Sequence, residues 1–327
     1  VANTWTNLVP GHFNLDKVAE YVKNGIYAAG GTAVEFGTIA ACDGVAQGHE
    51  GMHYILPSRE IICNSVEIMA QAHRLDGLVL LASCDKIVPG MLMAAARLDI
   101  PCIICVGGPM LGGIEFDGRK SDLTSISEAL GMLSAGKIQA CEYAALENTA
   151  CPGCGSCSFL GTANSMCMLT EVLGMALPGA GTAPAVSNQR KRVAKASGRC
   201  VMELLRKGIT PRKILTREVL LNGVAGAMAT GSSTNLVLHL MAIAHEAGVE
   251  LSLEDFDRIS RQVPFVCILQ PSGKYPIVSL DASGGIPAVM KTIESRLHTE
   301  ALTVTGKTWG ELLEKVEAKP DDVLKTM

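Results

Sequence analysis

The sequence has few aromatic residues, no excess of positive charge and no long apolar run. Only 4% of its 327 residues are Phe, Trp or Tyr, so small side chains and methionine must fill much of the core. The formal net charge of −4 indicates no basic surface of the kind that binds nucleic acid. No apolar run reaches the roughly 18 residues that cross a bilayer. Composition therefore favours a globular protein that binds neither nucleic acid nor membrane.

Cysteine, by contrast, is abundant. The chain has 12 cysteines, and hydrophobic residues make up 48% of it. Several cysteines are closely spaced, which fits metal or cluster binding in a reducing compartment better than a disulfide framework. We therefore expect a cytoplasmic protein.

Two short apolar runs, Leu78–Ala82 and Cys102–Val106, flank a helical pattern at Met91–Leu98. Runs of this length bounded by Gly and Pro are typical of buried parallel strands. Strand and helix patterns alternate along the chain. The sequence therefore predicts an α/β protein, a three-layer sandwich with a mostly parallel sheet flanked by helices on both faces.

Further elements are predicted from local signals. Thr32–Ile39 has the composition of a strand, and Ser58 is positioned to cap a helix over Arg59–Arg74. Ser252 and Thr308 each precede an acidic residue by three positions, the pattern of a capping box at a helix start.

Metal-binding residue types follow two of the predicted strands. Ser83-Cys84-Asp85-Lys86 comes directly after Leu78–Ala82, and Cys42-Asp43 comes after Thr32–Ile39. Open parallel sheets bind ligands at the carboxyl ends of their strands, so the two Cys-Asp pairs share one rim if their strands are neighbours. The alternative is that Cys84 is ordinary core and its neighbouring Asp a helix cap.

Three more cysteines, Cys151, Cys154 and Cys157, lie at CxxCxxC spacing in a Gly-rich stretch. This resembles part of a ferredoxin motif without its fourth cysteine, and the second pair that a zinc site needs is also missing. The remaining interpretation is an iron–sulfur cluster that one or two of these thiols share with Cys42 and Cys84. An iron without a protein thiolate would act there as a Lewis acid.

Carboxylates complete this pattern, because Asp43 and Asp85 each follow a candidate cluster thiolate. Hard oxygen ligands suit Mg²⁺. A cluster beside such an ion suits the removal of water from a chelating hydroxy acid, with the ion on its carboxylate and 2-hydroxyl. The residues therefore point to a dehydration.

The sequence resembles the N-terminal domain of the dihydroxy-acid dehydratase / phosphogluconate dehydratase family over nearly its whole length. The stretches that carry the resemblance are VPGHFNL (Val9–Leu15), ACDGVAQGHEGM (Ala41–Met52), LPSRE (Leu56–Glu60), CDKIVPGMLMAAARL (Cys84–Leu98), CPGCGSCSFLGTANSM (Cys151–Met166), TNLVLHL (Thr234–Leu240) and PSGKY (Pro271–Tyr275).

The resemblance implies an iron–sulfur cluster bound by Cys84 and Cys157. In the branch of the family with a 2Fe–2S cluster, a cysteine occupies the position of Gly11. The presence of glycine instead of cysteine at this position favours a 4Fe–4S cluster with Cys42 as third ligand.

The resemblance also implies a Mg²⁺ ion bound by Asp43, Asp85 and Lys86, the last as a carbamate. Substrate binding is a weaker expectation, because Ser232, Ser233 and Thr234 precede a predicted helix. Backbone N–H groups there suit a carboxylate or phosphate, or the segment is a plain helix cap.

By the same resemblance, residues 1–327 correspond to the cluster- and Mg-binding domain without the family's opening segment and C-terminal domain. That second domain carries the serine thought to act as general base, so we expect the chain alone to be inactive and the enzyme to be a homodimer. The implied reaction converts a 2,3-dihydroxy acid of the 2,3-dihydroxy-3-methylbutanoate type into a 2-keto acid in branched-chain amino acid biosynthesis.

Two alternatives stay open. One is a sugar-acid dehydratase acting on an aldonate or 6-phosphogluconate, since Gly231-Ser232-Ser233 and Leu280–Ser283 differ from the usual dihydroxy-acid dehydratase pattern. The other is a non-catalytic domain that binds an iron–sulfur cluster or zinc.

Overall fold

The computed structural model describes residues 1–327 and contains a four-stranded parallel sheet. Its strands are β1 (Ala2–Asn3), β2 (Phe36–Gly37), β3 (Leu78–Ala82) and β4 (Cys102–Val106), and a separate antiparallel hairpin is formed by β5 (Glu115–Phe116) and β6 (Arg119–Lys120). Every residue of β3 and β4 is buried, as their uninterrupted apolar sequences predict.

The strand order is β2-β1-β3-β4, and all neighbours are parallel. After β1 the chain forms the edge strand β2, and it then passes to the other side of β1 to form β3 and β4. The order therefore reverses between β1 and β3, the place where open α/β sheets form their ligand-binding crevice.

Fifteen helices surround the sheet. They are α1 (Leu15–Ala28), α2 (Asp43–Ala46), α3 (Pro57–Ala72), α4 (Ile87–Leu98), α5 (Leu123–Ser134), α6 (Ala140–Thr149), α7 (Thr162–Val172), α8 (Asn188–Lys207), α9 (Pro211–Ile214), α10 (Arg217–Thr230), α11 (Asn235–Ala247), α12 (Leu253–Ser260), α13 (Ile277–Ala282), α14 (Gly285–Thr292) and α15 (Trp309–Leu313), with 3₁₀ turns at Glu50–Tyr54 and Glu294–Arg296.

Helices cover both faces of the sheet. On one face α1 packs along α8, and both contact the strands; on the other, α3 and α11 pack against α4, which connects β3 to β4. The predicted α/β sandwich is confirmed. One hydrophobic cluster of 76 buried residues extends from Val1 to Leu324. None of the helices combines the length and the apolar character needed to cross a bilayer.

Two local predictions are wrong. The strand predicted at Thr32–Ile39 is only Phe36–Gly37, because this edge strand pairs only with the equally short β1. Ser58 does not cap α3, which begins at Pro57; its hydroxyl instead donates to the Ile55 carbonyl at 2.6 Å. Proline favours the first helical position, where its missing N–H is not needed. The two late capping boxes are confirmed.

Candidate active site

The loops that follow β2 and β3 bring the two Cys-Asp pairs together. The Cys42 and Cys84 thiols lie close enough for each to shift the pKa of the other, and so do the Asp43 and Asp85 carboxyl groups. Their strands are not neighbours, because β1 lies between them. The pairs meet because β1 ends at Asn3 and leaves room for the loop after β2 to cross its end.

The two thiols differ strongly in acidity. The hydrogen bond from Cys84, supported by backbone N–H groups of the first turn of α2, lowers the pKa of Cys42 to about 6 despite partial burial. The same hydrogen bond, together with complete burial, raises the pKa of Cys84 well above its ordinary value. Cys42 is therefore the more acidic of the two thiols.

The third candidate thiol approaches from the CxxCxxC loop. Backbone hydrogen bonds fasten this loop to the strand ends: Gly155 N donates to Pro10 O at 3.0 Å, and Ser156 N donates to Gly108 O at 2.9 Å. Cys157 is held close enough for the Cys42 charge to act on it, and burial, with that charge adding to it, raises its pKa to about 12.

The pKa values of the two carboxyl groups are shifted in opposite directions. Burial, with a further contribution from the contact with Asp85, raises the pKa of Asp43 to about 7. Burial also acts on Asp85, but hydrogen bonds from His239 and Asp43 and the charge of Lys86 hold its pKa below the ordinary range. Lys86 Nζ lies 2.7 Å from Asp85 Oδ1. A proton or a cation between two neighbouring carboxyl groups relieves the repulsion of their charges.

A histidine fixes the backbone beneath the thiols. His12 is fully buried, and burial lowers its pKa to about 4. Its Nδ1 lies 2.8 Å from the Thr4 carbonyl and donates to it, which leaves Nε2 to accept the Cys84 N–H at 3.1 Å. The adjacent Gly11 faces the same thiol, since a Cβ there would lie 2.8 Å from Cys84 Sγ.

An open cleft of about 540 Å³ lies beside these residues, and three of them form part of one wall. Asp43, Asp85 and Cys157 line this wall, and the N-terminal ends of α7 and α11 line the opposite one. The cleft therefore lies beyond the carboxyl ends of β1 and β3, where the sheet topology predicts a site.

The predicted substrate-binding segment lies on the opposite wall. Ser232, Ser233 and Thr234 all line the cleft. Ser233 Oγ lies 2.8 Å from Thr162 Oγ1, and Ser232 Oγ lies 2.9 Å from Thr230 Oγ1. None of the three is hydrogen-bonded to the candidate cysteines or carboxylates, so they add a separate polar surface to the cleft.

Sequence reasoning missed two buried residues beside the carboxylates. His239 Nε2 lies 3.2 Å from Asp85 Oδ1, and His239 Nδ1 lies 3.2 Å from Arg59 Nη1. Both residues fall in stretches that carry the family resemblance, LPSRE and TNLVLHL. The signal was their polar character at inward-facing helical positions, because a buried histidine or arginine requires a partner.

No group of three or more His, Cys, Asp or Glu side chains is arranged to hold a metal ion. The donors instead pair with one another, Cys42 with Cys84 and Asp43 with Asp85. Soft thiols and hard carboxylates nevertheless converge as two adjacent sets, which matches the preferences of iron–sulfur clusters and Mg²⁺ respectively. The donor chemistry therefore fits both groups.

Comparison with known proteins gives a family match. The family described as "Dihydroxy-acid/6-phosphogluconate dehydratase N-terminal" matches residues 1–312. A dihydroxy-acid dehydratase of Caldanaerobacter subterraneus is 55% identical over 329 residues, which cover 100% of this chain and 59% of the relative. That of Pyrococcus furiosus is 53% identical, covering 99% and 59%. That of Methanothermobacter thermautotrophicus is 50% identical, covering 100% and 60%.

The chain thus spans about three fifths of the length of these curated relatives. Both the match to the family and the identity to its members extend over almost all of the sequence. The chain belongs to the dihydroxy-acid/6-phosphogluconate dehydratase family and matches its N-terminal part.

Proposed function

We propose that this chain is the cluster- and Mg-binding part of a hydro-lyase that converts a 2,3-dihydroxy acid into a 2-keto acid. The supporting observation is that two donor sets lie next to each other, three cysteine thiols and two carboxylates with a lysine, and that Cys157, Asp43 and Asp85 of these sets line one cleft. The relatives named dihydroxy-acid dehydratase favour 2,3-dihydroxy-3-methylbutanoate as the substrate type, and hence a role in branched-chain amino acid biosynthesis.

In this proposal Cys42, Cys84 and Cys157 hold the iron–sulfur cluster, and Gly11 favours the 4Fe–4S type. Asp43, Asp85 and Lys86, as a carbamate, hold Mg²⁺. When bound, the two groups supply Lewis acidity toward the 3-hydroxyl and toward the carboxylate and 2-hydroxyl.

The reaction removes the C2 proton and the 3-hydroxyl as one water molecule, and the resulting enol becomes the 2-keto acid. The wall opposite the donors, with Ser232, Ser233 and Thr234, binds the remainder of the substrate. Proton abstraction needs a base within hydrogen-bond reach. We infer that a serine outside this chain provides it, that the chain alone is inactive, and that the enzyme is a homodimer.

A sugar-acid dehydratase is the second candidate. The wall of the cleft opposite the carboxylates carries hydroxyl groups from Thr162, Ser232, Ser233 and Thr234, which suits a polyhydroxylated substrate such as an aldonate or 6-phosphogluconate.

Anaerobic reconstitution with iron and sulfide, followed by metal analysis and EPR, tests the proposed ligands. We expect about four irons per chain, as for one cubane cluster, and their loss in Cys42→Ser, Cys84→Ser and Cys157→Ser. The exposed Cys141 provides the matched control, Cys141→Ser, which should retain the iron. Two irons that persist in Cys42→Ser would assign a 2Fe–2S cluster with a different third ligand. Binding of zinc without any iron–sulfur cluster would instead support the alternative of a non-catalytic domain.

The rate of turnover distinguishes between the two candidate substrate classes. A fusion in which the C-terminal region of the Caldanaerobacter relative follows this chain is assayed for 2-keto acid formation. Higher kcat/KM with 2,3-dihydroxy-3-methylbutanoate supports the first proposal, whereas higher kcat/KM with 6-phosphogluconate or an aldonate supports the second.

A further inference from the structure

Behind the carboxylates lies a buried chain of three side chains from three elements. His239 of α11 is fully buried, and Arg59 of α3 is 8% exposed. The imidazole stands between the Arg59 guanidinium and the Asp85 carboxylate, with both contacts at 3.2 Å. Burying these polar groups is costly unless each is paired, so the arrangement needs a reason beyond packing.

The chemistry of the three groups fixes the direction of their hydrogen bonds. A guanidinium has only donors, so His239 Nδ1 must accept from Arg59 Nη1. The imidazole proton is therefore on Nε2, which donates to Asp85 Oδ1. Arg59 thus selects the one neutral tautomer in which the ring faces the carboxylate with an N–H.

Both donors to Asp85 act on the same oxygen. His239 Nε2 and Lys86 Nζ lie 3.2 Å and 2.7 Å from Oδ1. The contact from His239 restrains Oδ1 of the carboxylate, and Oδ2 takes part in neither of these two contacts.

The packing of α3 on α4 holds Arg59 in place. A Cβ at Gly90, in the first turn of α4, would lie 2.8 Å from the Arg59 carbonyl. The guanidinium is also held from outside, where Arg59 Nε donates to Glu60 Oε1 at 3.0 Å. The donor to His239 is therefore positioned by both backbone and side chain.

We propose that Arg59 and His239 are positioning residues that hold the Asp85 carboxylate in the orientation in which it binds a divalent cation. This rests on the proposed function, because it requires Asp85 to be a cation ligand. Neither residue touches the cation or the substrate; each acts through its neighbour.

Mn²⁺ binding to the full chain, followed through the EPR signal of free Mn²⁺, tests this without an activity assay. We expect His239→Leu to weaken Mn²⁺ binding by about 10- to 100-fold, the usual effect of removing a hydrogen bond to a ligand. His239→Gln, whose amide replaces the Nε2 donor, should restore most of the affinity. His245→Leu, an exposed histidine on the same helix, should leave it unchanged.

A double variant examines the chain of contacts. If Arg59 acts only through His239, the Arg59→Met/His239→Leu protein binds Mn²⁺ no more weakly than His239→Leu alone. Should the leucine variant fail to fold, as judged by circular dichroism, His239→Asn takes its place, because its shorter amide does not reach Asp85.

The outcomes separate this inference from the proposed function. Loss of Mn²⁺ binding in Asp85→Asn together with full affinity in His239→Leu would overturn the positioning role and leave the proposed cation site standing. Weak binding that His239→Gln does not restore would also overturn it, since packing alone would then be at work. Unchanged binding in Asp85→Asn would overturn the cation site itself.

Discussion

At the scale of single residues, the absence of a side chain at position 11 shapes the site. A Cβ on Gly11 would lie 2.8 Å from Cys84 Sγ, 3.5 Å from Ser83 Oγ and 3.6 Å from the Gly155 carbonyl. These atoms belong to the loop after β3 and to the CxxCxxC loop. Gly11 therefore lies next to both thiol-bearing segments, and a side chain at this position would collide with the Cys84 thiol.

We predict that Gly11→Ala displaces the Cys84 thiol. The added methyl group should lower the free energy of unfolding by about 1–3 kcal/mol, as overpacking does, and reduce the iron bound after anaerobic reconstitution. Gly153→Ala is the control, because a Cβ there meets nothing within 4 Å. Urea unfolding and iron analysis of both variants test this, and wild-type values in Gly11→Ala would contradict it.

At the scale of elements, α1 and α8 cross closely enough for their backbones to be in contact. A Cβ on Gly198 would lie 2.1 Å from the Val22 carbonyl, and one on Gly25 would lie 2.0 Å from the Lys195 carbonyl. The two glycines face each other where the helices cross. This close approach forms the layer that covers one face of the sheet.

Two glycine-to-alanine changes in helices should therefore have opposite effects. Gly198→Ala forces α1 and α8 apart and should destabilise the protein by about 3 kcal/mol or more. Gly131→Ala, at an exposed position of α5 with nothing within 4 Å, should stabilise it by up to about 1 kcal/mol, because alanine has the higher helix propensity. Thermal and urea unfolding measure both, and equal effects would refute the close packing.

At the scale of the whole molecule, a buried carboxyl group ties the core to the loop after α7. Glu171 is fully buried and accepts from Gly179 N at 2.6 Å and Gly181 N at 2.7 Å. Burial raises its pKa from 4.5 to about 7, although these N–H groups act in the opposite direction. The folded protein therefore holds a proton on this side chain that the unfolded chain releases at lower pH.

This group should make the stability of the protein depend on pH. Below pH 4.5 Glu171 is protonated in both states; as pH rises toward about 7 only the unfolded chain loses its proton, so the free energy of unfolding falls. Relative to Glu171→Gln, which does not titrate, the wild type should lose on the order of 3 kcal/mol over this range. Urea unfolding of both proteins between pH 5 and about pH 8 measures the difference, and a constant difference would exclude the effect.

The sequence by itself determined the fold class, the inner strands and the family. Uninterrupted apolar runs specify β3 and β4 residue for residue, because a strand buried on both faces tolerates no polar side chain. Long motifs shared with the dehydratases identified the family, and the same motifs named the residues of the proposed ligand sets. Local chemistry also fixed the capping boxes, whose hydrogen bonds span only three residues.

Only the tertiary structure decided which of these residues meet. From the sequence, we expected Cys42 and Cys84 to lie close together only if the strands before them were neighbours. In the structure these strands are not neighbours, and the loop after β2 brings the two cysteines together across the end of the short β1. Arg59 and His239 reach Asp85 from two separate helices, a contact that no local pattern encodes. Periodicity assigns a residue to the inside of its element, but the packing of elements chooses its partner there.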